Sequence, residues 1–526
     1  MKSVTQKCKR EGNRDARAWG AAALSGLLLF LSFPKFGFHL TAWIALAPLF
    51  YALNRAGGIK DALKLTFAAG MIFNVGIVYW MGIVVVKYGY LPVYMGVLAV
   101  AAISAALAGY LSLFGAGVYW LKRAGVPEFV AAPPLWVVVE FAKSNLFTGF
   151  PWENLGYSQI GNLGLVQTAD LFGVYGISFL IVLVNALLYR AYECAPEWKK
   201  AAAAIALCAA LISAAMFYGQ WRLQSIGAAA TATPRIKTTI VQGNIDQSIK
   251  WNEKFERESL NTFLRLSAGG PAPEPGLVIW PETTTPFFFQ DIDDKHRDIV
   301  SVARGRNDYL ILGSPSYETK SGRTSYMNSA FAVSNSGVIL GRYDKMHLVP
   351  FGEYMPFRSI LPFLGQLLPG MSDFNTGSGF HPLQIGDKKV GVLICYESIF
   401  PEISREYKKA GAQLLVNITN DAWFGRSSAP YQHLGMLVFR AVENRMYIAR
   451  SANTGISAVI DPCGRVAAST NLFEPAKLEG SVGFVNIKTF YSEFGNWPVP
   501  LSFAILVCVP ATVRLRKKYR EVKHAD

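Results

Sequence analysis

The stretch KVGVLICYESIFPE, running from Lys389 to Glu402, begins as an apolar run and stops on Cys395, with Tyr396 and Glu397 directly behind it. A cysteine after four apolar residues is commonly a small buried hydrophobe. At the end of a strand it can equally be half of a disulfide or a nucleophile. Its surroundings decide between these readings. From about residue 235 to 490 the chain alternates short apolar runs with amphipathic ones. IKTTIVQGNI, GLVIWPE, YLILGSPSY, NSAFAVSNSGVILGRYDK, AQLLVNITN, IARSANTGISAVIDPCGRVAAS and GSVGFVNI read as strands or strand pairs. NEKFERESLNTFLRLS, DKHRDIVSVARGR, PEISREYKKAG and YQHLGMLVFRAVENRMYIA read as helices between them. Asn335-Ser336-Gly337 and Asp461-Pro462-Cys463-Gly464 supply hairpin turns. This alternation argues an α/β layered domain, large enough to hold its own core.

The rest of the chain has a different texture. Of 526 residues 52% are hydrophobic and 17% charged, with a mean hydropathy of +0.25; a soluble chain carries roughly a quarter charged residues. The apolar excess falls in eight segments of about membrane-spanning length: 18–34, 38–54, 62–84, 92–120, 126–142, 170–190, 200–220 and 498–514. The first has a basic leader, as a cleaved signal peptide would, but the spans that follow favour an anchor. Expected domains are therefore a membrane bundle over 1–221, the α/β domain over 235–490, and a last helix with a basic tail over 498–526.

Loop charge orients the bundle. Lys2, Lys7, Lys9, Arg10, Arg14 and Arg17 precede the first span, Arg55 and Lys60 follow the second, Lys122 and Arg123 the fourth. Arg190, Lys199 and Lys200 flank the turn after the sixth, and RLRKKYREVK follows the eighth. The opposite loops hold only Lys35, Lys87 and Lys143. Both termini are thus expected in the cytoplasm and the α/β domain outside it. The two tails each carry six basic against two acidic residues, about half of the net charge of +15. No basic groove interleaved with stacking aromatics is evident, so nucleic acid is not an expected partner. Cys8 and Cys194 fall on the cytoplasmic side and Cys208 and Cys508 in spans, leaving Cys395 and Cys463 outside. A bond between those two would destroy a nucleophile; the DPCGR turn is expected to project away from Cys395.

HExxH, CxxC, GxSxG and Gly-Lys are all absent, and the six histidines lack ligand spacing. No metal or cofactor is expected. What remains is a set of strand ends. Glu282 closes GLVIWPE, where Pro281 keeps Trp280 extended; Lys345 follows a hairpin, with Glu353 eight residues on; Cys395 closes KVGVLIC. Singly these are a solvated acid, a surface lysine and a core thiol. Together each supplies what the others lack. A thiol of pKa near 8.5 is mostly protonated at neutral pH. A carboxylate beside it takes its proton, and an ammonium steadies thiolate and oxyanion. The N–H of Tyr396, after the nucleophile, is a second oxyanion donor.

WPE, YDKMHLVPFGEYMP, GVLICYES, NITNDAWFG and RAVENRMYIARSANTG resemble the Glu-Lys-Cys motifs of the nitrilase superfamily. Set between seven spans and an eighth, and with VQGNIDQSIKW at the domain's start, they resemble the apolipoprotein N-acyltransferase family over essentially the whole chain. The resemblance implies an αββα sandwich joined to a membrane helical bundle, in a bacterial inner membrane with the sandwich periplasmic. It implies transfer of an sn-1 acyl chain from a phospholipid such as phosphatidylethanolamine, through a Cys395 thioester, to the amine of a diacylglyceryl-cysteine lipoprotein. It assigns proton transfer to Glu282, oxyanion stabilisation to Lys345 and orientation to Glu353, and matches Trp251, Asn328, Tyr396 and Glu397 to positions around the site.

The apolar stretch PFRSILPFLGQLLPGMSDF, from Pro356, is read as an arm dipping into the lipid interface, a loop over the core being the alternative. Rival functions are a membrane-tethered amidase using the same three residues, and a transporter or receptor with an inactive domain. Glu128, Glu140 and Lys143 are the charges within or near spans that would mark a transport path.

Overall fold

A computed structural model describes residues 2–247, 250, 253–355 and 373–523. Trp251 and residues 356–372 of the expected arm lie outside the described residues. Two compact units emerge: residues 1–86, 91–220 and 496–526 form one, and residues 87–90 and 221–495 the other.

The first unit is helical. Among the described residues five helices are long and apolar enough to cross a membrane: Ile59–Val78, Val93–Arg123, Ala169–Glu193, Trp198–Ala232 and Pro498–Leu515. Of the other three expected segments, 18–34 ends a helix that runs Lys2–Leu31, and 126–142 lies within Glu128–Asn145, which contains Pro133 and Pro134. The segment 38–54 is broken into His39–Thr41, Ala42–Ala45 and Ala47–Arg55. Pro48 sits in the first turn of the last piece, where a missing N–H is tolerated. The buried Asn185 closes the break, its Oδ1 accepting from Leu46 N at 2.7 Å and Ala47 N at 3.2 Å. Glu140 is buried and accepts from Trp136 Nε1 at 2.9 Å and Leu155 N at 2.5 Å. Lys143 donates to the Trp152 carbonyl at 3.0 Å. The two units divide at residues 220 and 221, within the helix Trp198–Ala232, which leads into the second unit's first strand.

Among the described residues the second unit holds two six-stranded sheets. The first contains β1 (Arg235–Gln242), β2 (Leu277–Ile279), β3 (Tyr309–Lys320), β4 (Arg323–Val333), β5 (Ile339–Asp344) and β12 (Ala476–Gly483), in the order β12-β1-β2-β3-β4-β5. The second contains β6 (Leu383–Ile385), β7 (Lys388–Ile394), β8 (Leu414–Thr419), β9 (Tyr447–Ala452), β10 (Ala458–Ile460) and β11 (Val466–Ser469), in the order β11-β10-β9-β8-β7-β6. β1, β2 and β3 run parallel, as do β7, β8 and β9.

Alternation along the strands explains the layers. Val241, Val278, Leu310 and Phe331 share a core with Leu260, Phe263, Ile299 and Ala303 of the helices Glu253–Leu266 and Asp294–Arg306. Their neighbours Ile240, Ile279, Ile311 and Ala332 point the other way and are equally buried, so both faces of this sheet are covered. The Ser451 hydroxyl of β9 donates to the Val241 carbonyl of β1 at 2.9 Å, tying one sheet to the other. Pro401–Lys409 and the largely buried helix Ala429–Asn444 accompany the second sheet. The expected turns are present: Ser334 N bonds to Val338 O and Asp461 N to Arg465 O, with Gly337 and Gly464 both at φ +80°.

Candidate active site

The parallel strands β2, β7 and β8 end toward one region, where the chain leaves each sheet with a polar group. After β2, Trp280 is locked by its Nε1 donating to Ser267 Oγ at 2.7 Å, and Glu282 follows two residues on. Gly313 of β3 allows this path. A Cβ there would lie 2.6 Å from the Pro281 carbonyl and 2.7 Å from Glu282 Cα, closer than any side chain can approach. Lys345 follows β5, and its N–H donates to the Asn328 carbonyl of β4 at 2.9 Å. Cys395 follows β7.

Glu282, Lys345, Glu353 and Asn328 form one connected set. Lys345 Nζ is fully buried, 3.0 and 2.9 Å from the two oxygens of Glu353 and 3.4 Å from Glu282 Oε1. Asn328 Nδ2 donates to Glu282 Oε1 and to Glu353 Oε1, both at 2.8 Å. Two carboxylates facing one amide fix which end of Asn328 is the nitrogen. Glu282 Oε2 accepts from Asn420 N at 3.0 Å, and Glu353 Oε2 from Val349 N at 2.8 Å. Burial opposes the charge on Lys345, but Glu353, Glu282 and Cys395 outweigh it and hold the ammonium above the usual lysine range.

Cys395 is buried, with φ +51°, in the left-handed region that a non-glycine residue enters only when its surroundings hold it there. Burial pushes its thiol well above the ordinary value; Glu282 adds to this, and Lys345 pulls the other way. The resting group is therefore a neutral thiol that ionises only by giving up its proton to a neighbour. The turn is clamped by Glu397, which is fully buried. Its Oε1 accepts from the Tyr343 hydroxyl (2.7 Å), Met346 N (2.8 Å) and His347 N (3.2 Å), and its Oε2 from Ile394 N (2.7 Å). One carboxylate thus joins the Lys345 loop to the Cys395 turn. Burial raises it to about 7 against those donors. Tyr396 packs edge-on against Phe400 and near His347, and burial raises its hydroxyl.

Several residues here were not singled out from sequence. Lys250 is buried, donates to the Glu282 carbonyl at 3.3 Å, and is pulled down to about 8 by burial, against the charges of Glu282 and Cys395. Behind Cys395, Asp421 Oδ1 meets His433 Nδ1 at 3.0 Å, and Asp421 Oδ2 accepts from Arg450 at 2.6 Å. His433 Nε2 lies 2.7 Å from Ser398 Oγ and 3.3 Å from the Cys395 carbonyl. NITNDAWFG, YQHLGM and IARSANTG contain Asp421, His433 and Arg450, yet no spacing joins them, because strands and a helix distant in sequence bring them together. Gly455 belongs to the same cluster, since a Cβ would sit 2.4 Å from Asp421 Oδ2. Cys463 sits in the turn between β10 and β11 yet is fully buried, its Sγ 3.9 Å from the Leu223 carbonyl, and both it and Cys395 are free thiols. No group of three metal-ligating side chains occurs among the described residues.

The class is that of the carbon-nitrogen hydrolases: residues 201–482 match the family model described as carbon-nitrogen hydrolase. Residues 25–187 match the model described as apolipoprotein N-acyltransferase N-terminal domain. A protein of Geobacter metallireducens named apolipoprotein N-acyltransferase is 45% identical over 90% of this chain and 91% of its own. One of the same name from Methylococcus capsulatus is 34% identical over 91% and 92%, and one from Bradyrhizobium diazoefficiens 34% over 78% and 79%. The chain belongs to the apolipoprotein N-acyltransferase family.

Proposed function

We propose that this chain moves an sn-1 acyl group from a phospholipid to the α-amine of a diacylglyceryl-cysteine lipoprotein, by way of a thioester on Cys395. The observation that carries the reading is the connected set of Glu282, Lys345, Glu353 and Asn328 beside a buried neutral thiol. Glu282 takes the Cys395 proton as sulfur attacks the ester carbonyl. Lys345 and the Tyr396 N–H face the oxyanion. The C–O bond then breaks, and the proton passes from Glu282 to the departing lysophospholipid oxygen. In the second half the lipoprotein amine attacks, the C–S bond breaks, and Glu282 carries the amine's proton back to sulfur. Glu353 and Asn328 hold Lys345 and Glu282 at fixed separation; Tyr396 borders the acyl group. No cofactor or metal enters.

A thioester reacts readily with amines, and an acyl pocket closed to water protects it from hydrolysis. The membrane bundle consists of eight spans, with domain limits at 1–221, 235–490 and 498–526. Both termini are cytoplasmic and the sandwich is periplasmic, in a bacterial inner membrane. The test is a reconstituted assay with phosphatidylethanolamine labelled in its sn-1 chain and a diacylglyceryl peptide acceptor. Label on the peptide amine is the expected result. Ammonia release from small amides without acyl transfer would replace this reading with that of an amidase.

A further inference from the structure

Behind Cys395 lies a set of buried polar side chains that the acyl-transfer steps leave unused. Ser398 Oγ donates to the Cys395 carbonyl at 2.9 Å, and His433 Nε2 lies 3.3 Å from the same oxygen. Ser398, His433 and Asp421 are all at least 99% buried. That carbonyl belongs to the peptide group whose other end is the Tyr396 N–H. A peptide group is planar, so fixing its oxygen fixes the direction of its hydrogen.

We propose that Ser398, His433 and Asp421 form a positioning unit that holds the Cys395–Tyr396 peptide so that its N–H faces the oxyanion formed during acyl transfer. The inference rests on the reading of Cys395 as the acyl-carrying nucleophile.

Three observations support it. The left-handed backbone of Cys395 needs restraint, and the carbonyl just after the strained φ is where Ser398 and His433 meet the chain. Asp421 is itself anchored, by Arg450 at 2.6 Å and by Thr419 Oγ1 at 3.1 Å, while Arg450 is held by Asn417 Oδ1 at 2.6 Å and donates to the Ile456 carbonyl at 3.0 Å. Burial opposes Asp421's charge, yet Arg450 and His433 keep its pKa at about 2. A carboxylate facing Nδ1 puts a proton on that nitrogen and turns Nε2 toward Ser398 and the Cys395 carbonyl. Ser398 has one hydroxyl proton: it serves the carbonyl when Nε2–H donates to Ser398 Oγ, and turns to Nε2 when that nitrogen is bare. Burial and Arg450 pull the ring toward the neutral form, Asp421 and the Cys395 carbonyl toward the charged one. The direct bond to the carbonyl therefore belongs to the ring with a protonated Nε2; in the neutral ring Ser398 Oγ and the imidazole hold the peptide by closing off the space behind it.

The test separates oxyanion stabilisation from thiol reactivity. Full-length chain in detergent is acylated with a p-nitrophenyl ester, which develops an oxyanion, and separately alkylated with iodoacetamide, which does not. For His433→Ala, ester acylation is expected to slow by roughly 100-fold, the low end of the range for loss of one oxyanion donor, and for Ser398→Ala by roughly 10-fold, below that range because His433 still backs the peptide. Alkylation rates stay at the wild-type value, which also shows that the site is folded. His433→Gln, whose amide reaches toward the Nε2 position, recovers part of the loss. Parallel loss of both reactions, or loss of neither, overturns the inference. Wild type that accepts the p-nitrophenyl ester but not phospholipid would defeat the proposed substrate and leave this inference standing.

Discussion

Two buried glutamates flank Cys395, and their surroundings differ in kind. Glu397, behind Cys395, is saturated by three backbone N–H groups and a tyrosine hydroxyl. Glu282, in front, meets a lysine, an amide side chain and a single backbone N–H. The first arrangement makes a frame, because both oxygens are committed to holding two loops together. The second leaves a carboxylate beside a mobile proton and a cation. The same residue type does opposite work because one neighbourhood is backbone and the other is side chain.

The contrast can be broken by exchanging charge for shape. Glu282→Gln keeps the hydrogen-bonding outline but cannot take a proton. Acyl-enzyme formation is expected to fall by about 10³-fold, at the scale of lost general-base catalysis, with little change in unfolding temperature. Glu397→Gln should do the reverse. Its amide nitrogen meets at least one N–H donor that had an acceptor before, at a cost of about 1–3 kcal/mol, seen as a lower unfolding temperature at pH 8. A large rate loss without loss of stability would show that Glu397 also handles protons.

Asp421 sharpens the picture on the acid side. Its folded pKa of about 2 lies below the unfolded value, so its contribution to stability is complete above about pH 4 and disappears as pH falls toward 2. That contribution is about 2 kcal/mol. Asp421→Asn should flatten this acid limb in a denaturation series run from pH 5 to 2; an unchanged limb would mean that the Arg450 pairing contributes nothing to folding.

Lys250 offers the smaller effect. Its folded pKa of about 8 lies below the unfolded value, so charging it opposes folding as pH drops through 8. Lys250→Met is therefore expected to be at least as stable as wild type at pH 7. Acylation should slow only by about 3- to 10-fold, the scale of one ordinary hydrogen bond. Cys463→Ser, remote from both glutamates in role, is expected to leave acylation unchanged.

How much of this could be read in the sequence follows from the range over which each interaction acts. Glu282, Lys345 and Cys395 close apolar runs, and an apolar run that stops on a polar or reactive residue is visible within a few positions. The two hairpins were legible for the same reason, through Gly337 and Gly464. β6 is three residues long and leaves no periodicity to detect. His433 sits in a helix with almost no exposed face, so an amphipathic pattern gave no sign that it meets Asp421, twelve residues away across a turn. Lys250 reads as one more basic residue until burial is known. Asn328, a weak motif match, gains its meaning only from the two carboxylates that β4 brings to its amide. In the helical unit, length and hydropathy located segments, but the break before Ala47 depends on Asn185, far along the chain.

The central claim is that Cys395 carries the acyl group, and intact-protein mass spectrometry tests it most directly. Wild type and Cys395→Ser are incubated with phosphatidylethanolamine, then exposed to hydroxylamine or to a diacylglyceryl peptide. The account expects one acyl mass on wild type alone, mapped to the Cys395 peptide and discharged by either nucleophile. A folded wild-type protein that gains no such mass, or a Cys395→Ser variant that gains the same labile adduct, would contradict it.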